Sequence, residues 1–196
     1  MVANQNAFGI YNDEELMLFI TNGEVLAFDA LYIKYSKPLM AYFFRMLNFD
    51  KNLAEDALQD LFLKIAEAPE KFDRTRSFKT WIFSVASNTC KNYYRHKNVV
   101  NNSHTEIEYL KSQTLNYDFT NATSKIDINL FNKQLEEVLN TLPHEKKEAF
   151  ILKYQEDKSI IEIAEIQGSP EGTVKSRIFY ATKLLEEKLI AFKPIN

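Results

Sequence analysis

Ser159-Ile160-Ile161-Glu162-Ile163-Ala164-Glu165-Ile166-Gln167-Gly168-Ser169-Pro170-Glu171-Gly172-Thr173-Val174-Lys175-Ser176-Arg177 carries the signals of two short helices joined by a tight turn. Ser159 with Glu162 three residues on has the form of a capping box, in which each side chain satisfies the other residue's free backbone N–H. Gly168 stops the first helix, because glycine tolerates the left-handed conformation that closes a helix. Ser169 is then expected to cap the second helix, with Pro170 at its first position, where proline's missing N–H costs nothing. Ala164 is small where two helices must approach closely. Val174, Ile178, Ala181 and Leu185 recur at helical spacing and predict the buried stripe of the second helix. Glu171, Lys175, Ser176, Phe179 and Lys183 then face outward, with Thr173, Arg177 and Tyr180 flanking them. Helix, glycine turn, helix is the helix-turn-helix plan. Its second helix suits a major groove, its N-terminal residues reaching base edges and its cations reaching phosphates. An ordinary helical hairpin with a solvated basic face fits the same spacing.

Upstream, Leu130, Leu135, Val138, Leu139 and Leu142 continue a helical pattern, and Pro143 opens a further helix. A small helical domain is therefore expected over residues 130–192. Residues 98–129 are rich in Asn, Ser and Thr, with scattered apolar side chains, and read as a flexible linker with some transient helix around Ile107 to Lys111. Before the linker lie three amphipathic segments. Phe28, Leu31, Tyr32, Tyr35, Leu39, Tyr42, Phe43 and Met46 form one stripe, which Pro38 should kink or divide. Leu53, Ala57, Leu58, Leu61, Phe62 and Ile65 form the second, ended by Pro69. Phe78, Trp81, Ile82, Val85 and Thr89 form the third. They predict a second helical domain over residues 12–97. The fold class is all-α: two small helical domains joined by a flexible linker, the C-terminal one a helix-turn-helix.

The composition agrees. Of 196 residues, 45% are apolar, enough for a real core, and only four are glycine, which argues against a glycine-rich phosphate loop or a turn-dense β fold. Cys90 is the only cysteine, so neither an internal disulfide nor a cysteine-rich zinc site is expected. The first eleven residues lack the form of a signal peptide, and no stretch approaches the ~18 apolar residues of a membrane span. The expected location is the cytoplasm, without membrane insertion. The net charge of −3 conceals an asymmetry. Residues 13–62 hold nine acidic and four basic side chains, whereas residues 71–97 hold seven basic and one acidic. Two surfaces of opposite sign suggest two different partners.

The run from Ile161-Glu162-Ile163-Ala164 to Gly172-Thr173-Val174-Lys175-Ser176-Arg177 resembles the last conserved region of extracytoplasmic-function sigma factors of the sigma-70 family, which recognise promoter DNA for RNA polymerase. The resemblance implies that Glu171, Thr173, Lys175, Ser176, Arg177, Phe179 and Tyr180 meet the minus-thirty-five element. Ala54-Glu55-Asp56-Ala57-Leu58-Gln59-Asp60-Leu61-Phe62 is similar to the family's helix that docks on the polymerase clamp. Asp56, Gln59, Asp60 and Leu63 lie at i, i+3, i+4 and i+7, a mostly acidic face suited to a basic helical partner. The run Phe78-Lys79-Thr80-Trp81-Ile82 with Ala86-Ser87-Asn88 and Tyr93-Tyr94-Arg95 is similar to the family's minus-ten reader. Ser84, Asn88, Lys91, Asn92 and Arg95 share the side away from the apolar stripe, where amides can read base edges and cations can hold phosphates. The loop Lys71-Phe72-Asp73-Arg74-Thr75-Arg76-Ser77 precedes this helix. In the family such a loop receives a base flipped from the non-template strand, which favours the melted duplex. Phe72 is either the aromatic wall for that base or a core anchor, and Trp81, on the apolar face, is read as core.

The resemblance further implies the core polymerase (clamp and flap), promoter DNA and an anti-sigma factor as partners. It implies no cofactor, metal, small-molecule substrate or catalysis. The linker would thread towards the RNA-exit region. The additional domains of housekeeping sigma factors are missing, which points to the minimal class. Two other readings stand beside it: a stand-alone helix-turn-helix regulator with an N-terminal sensing domain, and a helical adaptor without a nucleic-acid role. His96, His104 and His144 are far apart and match no metal-ligand or triad spacing, so an enzyme is the weakest reading.

Overall fold

The computed structural model describes residues 8–101 and 125–192, and every regular element in these stretches is helical. The helices are α1 (Asp13–Thr21), α2 (Val25–Met46), α3 (Lys51–Glu67), α4 (Phe78–Asn101), α5 (Lys125–Thr141), α6 (His144–Tyr154), α7 (Ile160–Gln167) and α8 (Glu171–Lys188). Short 3₁₀ turns follow α3 at Pro69–Lys71 and α8 at Ile190–Phe192. They fall into two compact units. The first holds α1–α4 apart from Phe44–Lys51, which groups with the second; the second holds α5–α8. Helix occupies the first and last residues of the expected 98–129 linker. The transient helix expected around Ile107 to Lys111 lies outside the described residues.

In the first unit, α1 opens on a capping box that the sequence reading did not assign. The Asn12 side chain accepts from Glu15 N–H (2.8 Å), and Glu15 accepts from Asn12 N–H (2.9 Å). Gly23, at φ +88°, makes the reversal into α2, a conformation that an L side chain would strain. α2 runs through Pro38 as one helix, so the expected division does not occur. Leu31, Leu39, Tyr42 and Phe43 bury its inner face, and Leu58, Leu61, Phe62 and Ile65 bury that of α3. Each such side chain contributes roughly 1.5–3 kcal/mol by leaving water.

The buried stripe of α4 is rotated from its expected position. Phe78, Ile82, Phe83, Ala86, Ser87 and Cys90 are buried, while Trp81, Val85 and Thr89 are only half-buried. The large Phe83 and the small Ala86, Ser87 and Cys90 pull the inner face around. Ser84 and Thr89, at its margins, donate their hydroxyls to the carbonyls of Thr80 (3.0 Å) and Val85 (3.1 Å). Their polar groups are therefore satisfied by the preceding turn. The first turn of α4 is capped from a distance: Glu14 on α1 accepts from Phe78 N–H at 2.8 Å. A carboxylate is well suited to that end of a helix, where free N–H groups carry partial positive charge. Nearby, Asp13 accepts from Tyr35 Oη (2.5 Å) and Lys34 Nζ (2.6 Å). Burial, and then the hydrogen bond to Asp13, push the Tyr35 phenol well above its ordinary value.

In the second unit, α8 packs against α5, α6 and α7. Val174, Ile178, Ala181 and Leu185 are its buried residues, against a core that includes Leu139, Leu152, Ile163 and Ile166. Of the stripe expected on α5, Leu139 and Leu142 are buried, Leu135 and Val138 half-buried, and Leu130 exposed. The Ser159–Glu162 capping box is present in both directions, at 3.2 and 2.9 Å. Gly168 closes α7 at φ +61°. Two capping expectations need correction by one residue. Pro143 stands at the cap position before α6, not inside the helix. Pro170 is likewise the cap residue of α8, and the Ser169 hydroxyl makes no cap hydrogen bond to it.

Candidate nucleic-acid interface

Three surfaces carry the residues singled out in the sequence. On α3, Asp56, Gln59, Asp60 and Leu63 are all exposed, on the side away from Ala54, Ala57, Leu58, Leu61 and Ile65. Leu63 stands out, an aliphatic side chain 56% exposed in the middle of a polar face. The arrangement offers a negative rim around one apolar knob.

The second surface is the loop 71–77 with the outer side of α4. Arg74, Thr75, Arg76 and Ser77 are exposed in the loop. On α4, Asn88, Asn92 and Arg95 are exposed and Lys91 half-buried; Arg95 donates to the Asn92 side chain. Phe72 departs from the rest. It is only 5% exposed and lies against Phe78 (5.3 Å between ring centroids) and Trp81 (5.1 Å). Of its two readings the core anchor is the one realised, and it is withdrawn from the minus-ten set. The cause is the aromatic pair on α4: edge and tilted ring contacts favour burial of a third ring over its exposure. Trp81 packs on Phe72 and Phe78 and keeps part of its surface open.

Asp73, which the sequence reading passed over, organises this loop. Its Oδ1 accepts from Thr75 N–H (3.0 Å) and Thr75 Oγ1 (2.8 Å), an Asx turn, and its carbonyl accepts from Arg76 N–H (3.0 Å). The Thr75 N–H, then its hydroxyl, hold the Asp73 carboxyl below its ordinary value. The D-x-T spacing was the available signal. One acidic residue among basic ones here shapes the backbone that presents them.

The third surface is α8. Glu171, Lys175, Ser176, Phe179 and Tyr180 are exposed, Thr173 and Arg177 half-buried. Phe179 is 62% exposed and packs edge-on to Tyr180 at 5.5 Å, and Lys146 Nζ lies 5.1 Å from the Tyr180 ring centroid. Lys175 is 4.0 Å from Glu171, too loose and open to hold it from another anion. Arg177 turns back towards the protein: its NH1 donates to Gln167 Oε1 and to Ser169 Oγ, both at 2.8 Å. Among the described residues no cluster of His, Cys, Asp and Glu could hold a metal ion, and no helix is long and apolar enough to cross a membrane.

Residues 31–99 match the family described as Sigma-70 region 2, and residues 132–185 match Sigma-70, region 4. An ECF RNA polymerase sigma-E factor of Haemophilus influenzae is 29% identical over 184 residues, 90% of this chain and 95% of the relative. The ECF RNA polymerase sigma factor SigW of Bacillus subtilis is 28% identical over 178 residues, 87% of this chain and 92% of the relative. Two solved structures share the fold. CnrH, in complex with the cytosolic domain of CnrY, aligns over 92% of this chain and 99% of its own, at a TM-score of 0.68 and 22% identity. RpoE of Bartonella quintana, crystallised with the anti-sigma factor NepR, aligns over 85% of this chain and 98% of its own, at 0.70 and 22%. The two family matches fall one on each unit, which a stand-alone regulator or an adaptor would not produce. The chain belongs to the sigma-70 family and is a sigma factor of the extracytoplasmic-function type, directing RNA polymerase core to promoters to initiate transcription.

Proposed function

We propose that the three surfaces divide the work of initiation. The exposed face of α3, through Asp56, Gln59, Asp60 and Leu63, docks on the clamp of the core enzyme. Asn88, Lys91, Asn92 and Arg95 on α4 read the minus-ten element, and Arg74, Thr75, Arg76 and Ser77 hold the phosphates beside an extruded base. The exposed N-terminal half of α8 reads the minus-thirty-five element, with Glu171, Thr173, Lys175, Ser176, Phe179 and Tyr180 within reach of the groove. The domains divide as 12–97 and 130–192, each carrying part of the promoter contact. The flap of the core is the expected neighbour of the second. The protein works in the cytoplasm, binds no small-molecule substrate and catalyses no reaction of its own.

One observation carries this reading. A single helical unit presents an acidic, leucine-centred face on α3 and a basic, amide-bearing face on α4. Such a unit can hold a basic protein surface and a nucleic acid at once. CnrH was captured with the cytosolic domain of CnrY, and RpoE with the anti-sigma factor NepR. By likeness this chain too is held by an anti-sigma factor until its signal arrives. The test is transcription from a randomised promoter pool by bacterial core RNA polymerase, with and without the protein. A recovered two-element consensus that appears only with the protein supports the assignment. Equal transcription in both arms, or promoter binding by the protein that core enzyme does not enhance, would refute it.

A further inference from the structure

We infer that Arg177 is a positioning residue, locking the start of the recognition helix to the body of its domain and leaving base reading to its neighbours. This rests on the reading of α8 as the minus-thirty-five helix. The geometry is a relay across three helices. Arg177 NH1 on α8 donates to Gln167 Oε1 at the end of α7 and to Ser169 Oγ in the turn, each at 2.8 Å. Gln167, only 8% exposed, then donates its Nε2 to Glu148 Oε2 and to the Glu145 carbonyl on α6, both at 2.9 Å. Glu148 is fully buried.

The chemistry explains why an amide stands in the middle. A cation on one side requires an acceptor, and a carboxylate on the other requires a donor. Gln alone among the standard side chains of this length offers both, and its two partners fix which way the amide points. A charge-assisted bond at each end makes the relay stronger than two neutral ones, and burial of Gln167 keeps water from replacing it. The Ser169 hydroxyl, expected to cap α8, is instead the second acceptor for Arg177. The turn Gly168–Pro170 is thereby held from both sides, and with it the angle at which Lys175, Ser176 and Phe179 leave the domain. With NH1 given to Gln167 and Ser169, an end-on fork from NH1 and NH2 onto a guanine would break the relay.

The test uses full-length protein in holoenzyme, and as probe the minus-thirty-five duplex that unaltered holoenzyme selects from a randomised pool. Arg177→Ala and Gln167→Leu should each weaken binding by about tenfold, and the double variant should be no worse than the weaker single one, since both cut the same relay. Base-pair preferences and the slope of affinity against salt should stay as in the unaltered protein. Arg177→Lys, with one donor group able to reach Ser169 or Gln167, should restore part of the affinity. In DNA-free protein, the backbone amides of Ser169 and of residues 171–174 should exchange faster in Arg177→Ala and Gln167→Leu but not in Lys175→Ala. If Arg177→Ala relaxes preference at one base pair, it is a base reader and the inference falls. If it lowers the salt slope by about one while Gln167→Leu binds normally, it is a phosphate contact and the inference falls equally. Should a variant simply melt early, binding measured well below its transition separates the cases: a merely structural loss leaves the folded fraction with normal affinity, which would also overturn positioning. Loss of DNA binding by Lys175→Ala but not by Arg177→Ala refutes positioning alone. Loss by neither refutes the reading of α8 itself.

Discussion

The loop that leads into α4 and the turn that leads into α8 do comparable jobs by opposite means. Each delivers the start of a helix whose outer side carries basic and amide groups. In the first, the anchor is apolar: Phe72 sits under the loop against Phe78 and Trp81, and the arginines around it are exposed. In the second the anchor is polar. Arg177 and Gln167 hold the turn through a hydrogen-bonded relay, while the aromatic Phe179 and Tyr180 stand outside. Aromatic and arginine have exchanged places. A residue type near a DNA-facing helix therefore does not disclose its role; what lies beneath it does.

The largest effect should come from removing the apolar anchor. Phe72→Ala empties a site between two aromatic rings and should cost about 3–5 kcal/mol of first-unit stability. Thermal or denaturant unfolding followed at Trp81, which touches the lost ring, reads it directly. A loss below about 1 kcal/mol, with minus-ten opening abolished, would return Phe72 to the role of a wall for the base and erase half of the contrast. The polar anchor should be next. Gln167→Glu replaces the donor to Glu148 with a second carboxylate and leaves Glu148 buried against a like charge. A destabilisation of roughly 1–3 kcal/mol is expected for the second unit, greater at neutral pH than in mild acid, where the new carboxyl takes up a proton. An unchanged unfolding midpoint would show that the turn does not depend on the relay.

A third variant sets both anchors against a surface that supports nothing. Asp56 and Gln59 are exposed on α3, and changing both to Ala should leave the unfolding midpoint nearly unmoved while weakening core polymerase binding by about tenfold, the order of one lost charge-assisted contact. Affinity for core equal to that of the unaltered protein would remove the clamp assignment from this face.

How far these differences could be read from the sequence depended on how far apart the interacting residues are. The Ser159–Glu162 box and the stripe Val174, Ile178, Ala181, Leu185 were legible, because the first is complete within one turn of a helix and the second within about three. The Asn12–Glu15 box was equally local, yet α1 was not assigned, since the helix is only nine residues long and gives little periodicity. The cap of α4 could not be read at all: Glu14 and Phe78 are 64 residues apart. The rotation of the α4 stripe was hidden for another reason. Ser87 is polar and Cys90 small, so neither marks a stripe by its apolar bulk, yet both are fully buried. At the candidate interface, spacing placed Asp56, Gln59, Asn88 and Lys175 on outer faces, where they are found. It could not show that Arg177 turns back ten residues to Gln167 while Lys175, two residues away, remains exposed.

The smallest expected effect concerns Asp73, and it separates charge from shape. Its carboxyl is held below the ordinary value, chiefly by Thr75 N–H and then by the Thr75 hydroxyl. A carboxyl with a lowered folded value gives its support above the unfolded value and loses it as pH falls through the folded one. The loop should therefore keep its turn through the usual carboxylate range and lose it only in stronger acid, which the Thr75 amide resonance of the free protein will follow. At neutral pH two substitutions disagree usefully. Asp73→Ala and Asp73→Asn each remove one negative charge from a loop flanked by Arg74 and Arg76, so a purely electrostatic account expects both to bind promoter DNA more tightly, in proportion to the added positive charge. Only Asn retains an oxygen where Thr75 donates. If the loop's role is to present its arginines and hydroxyls in one shape beside an extruded base, Asp73→Asn should open the minus-ten region at least as well as the unaltered protein. Asp73→Ala should then open it a few-fold more slowly despite the same charge. Permanganate reactivity of unpaired thymines gives the opening rate, and filter binding on the same templates gives initial affinity. Equal gains in both variants would mean that charge alone governs this loop, and that the Asx turn, unlike the relay beneath α8, positions nothing.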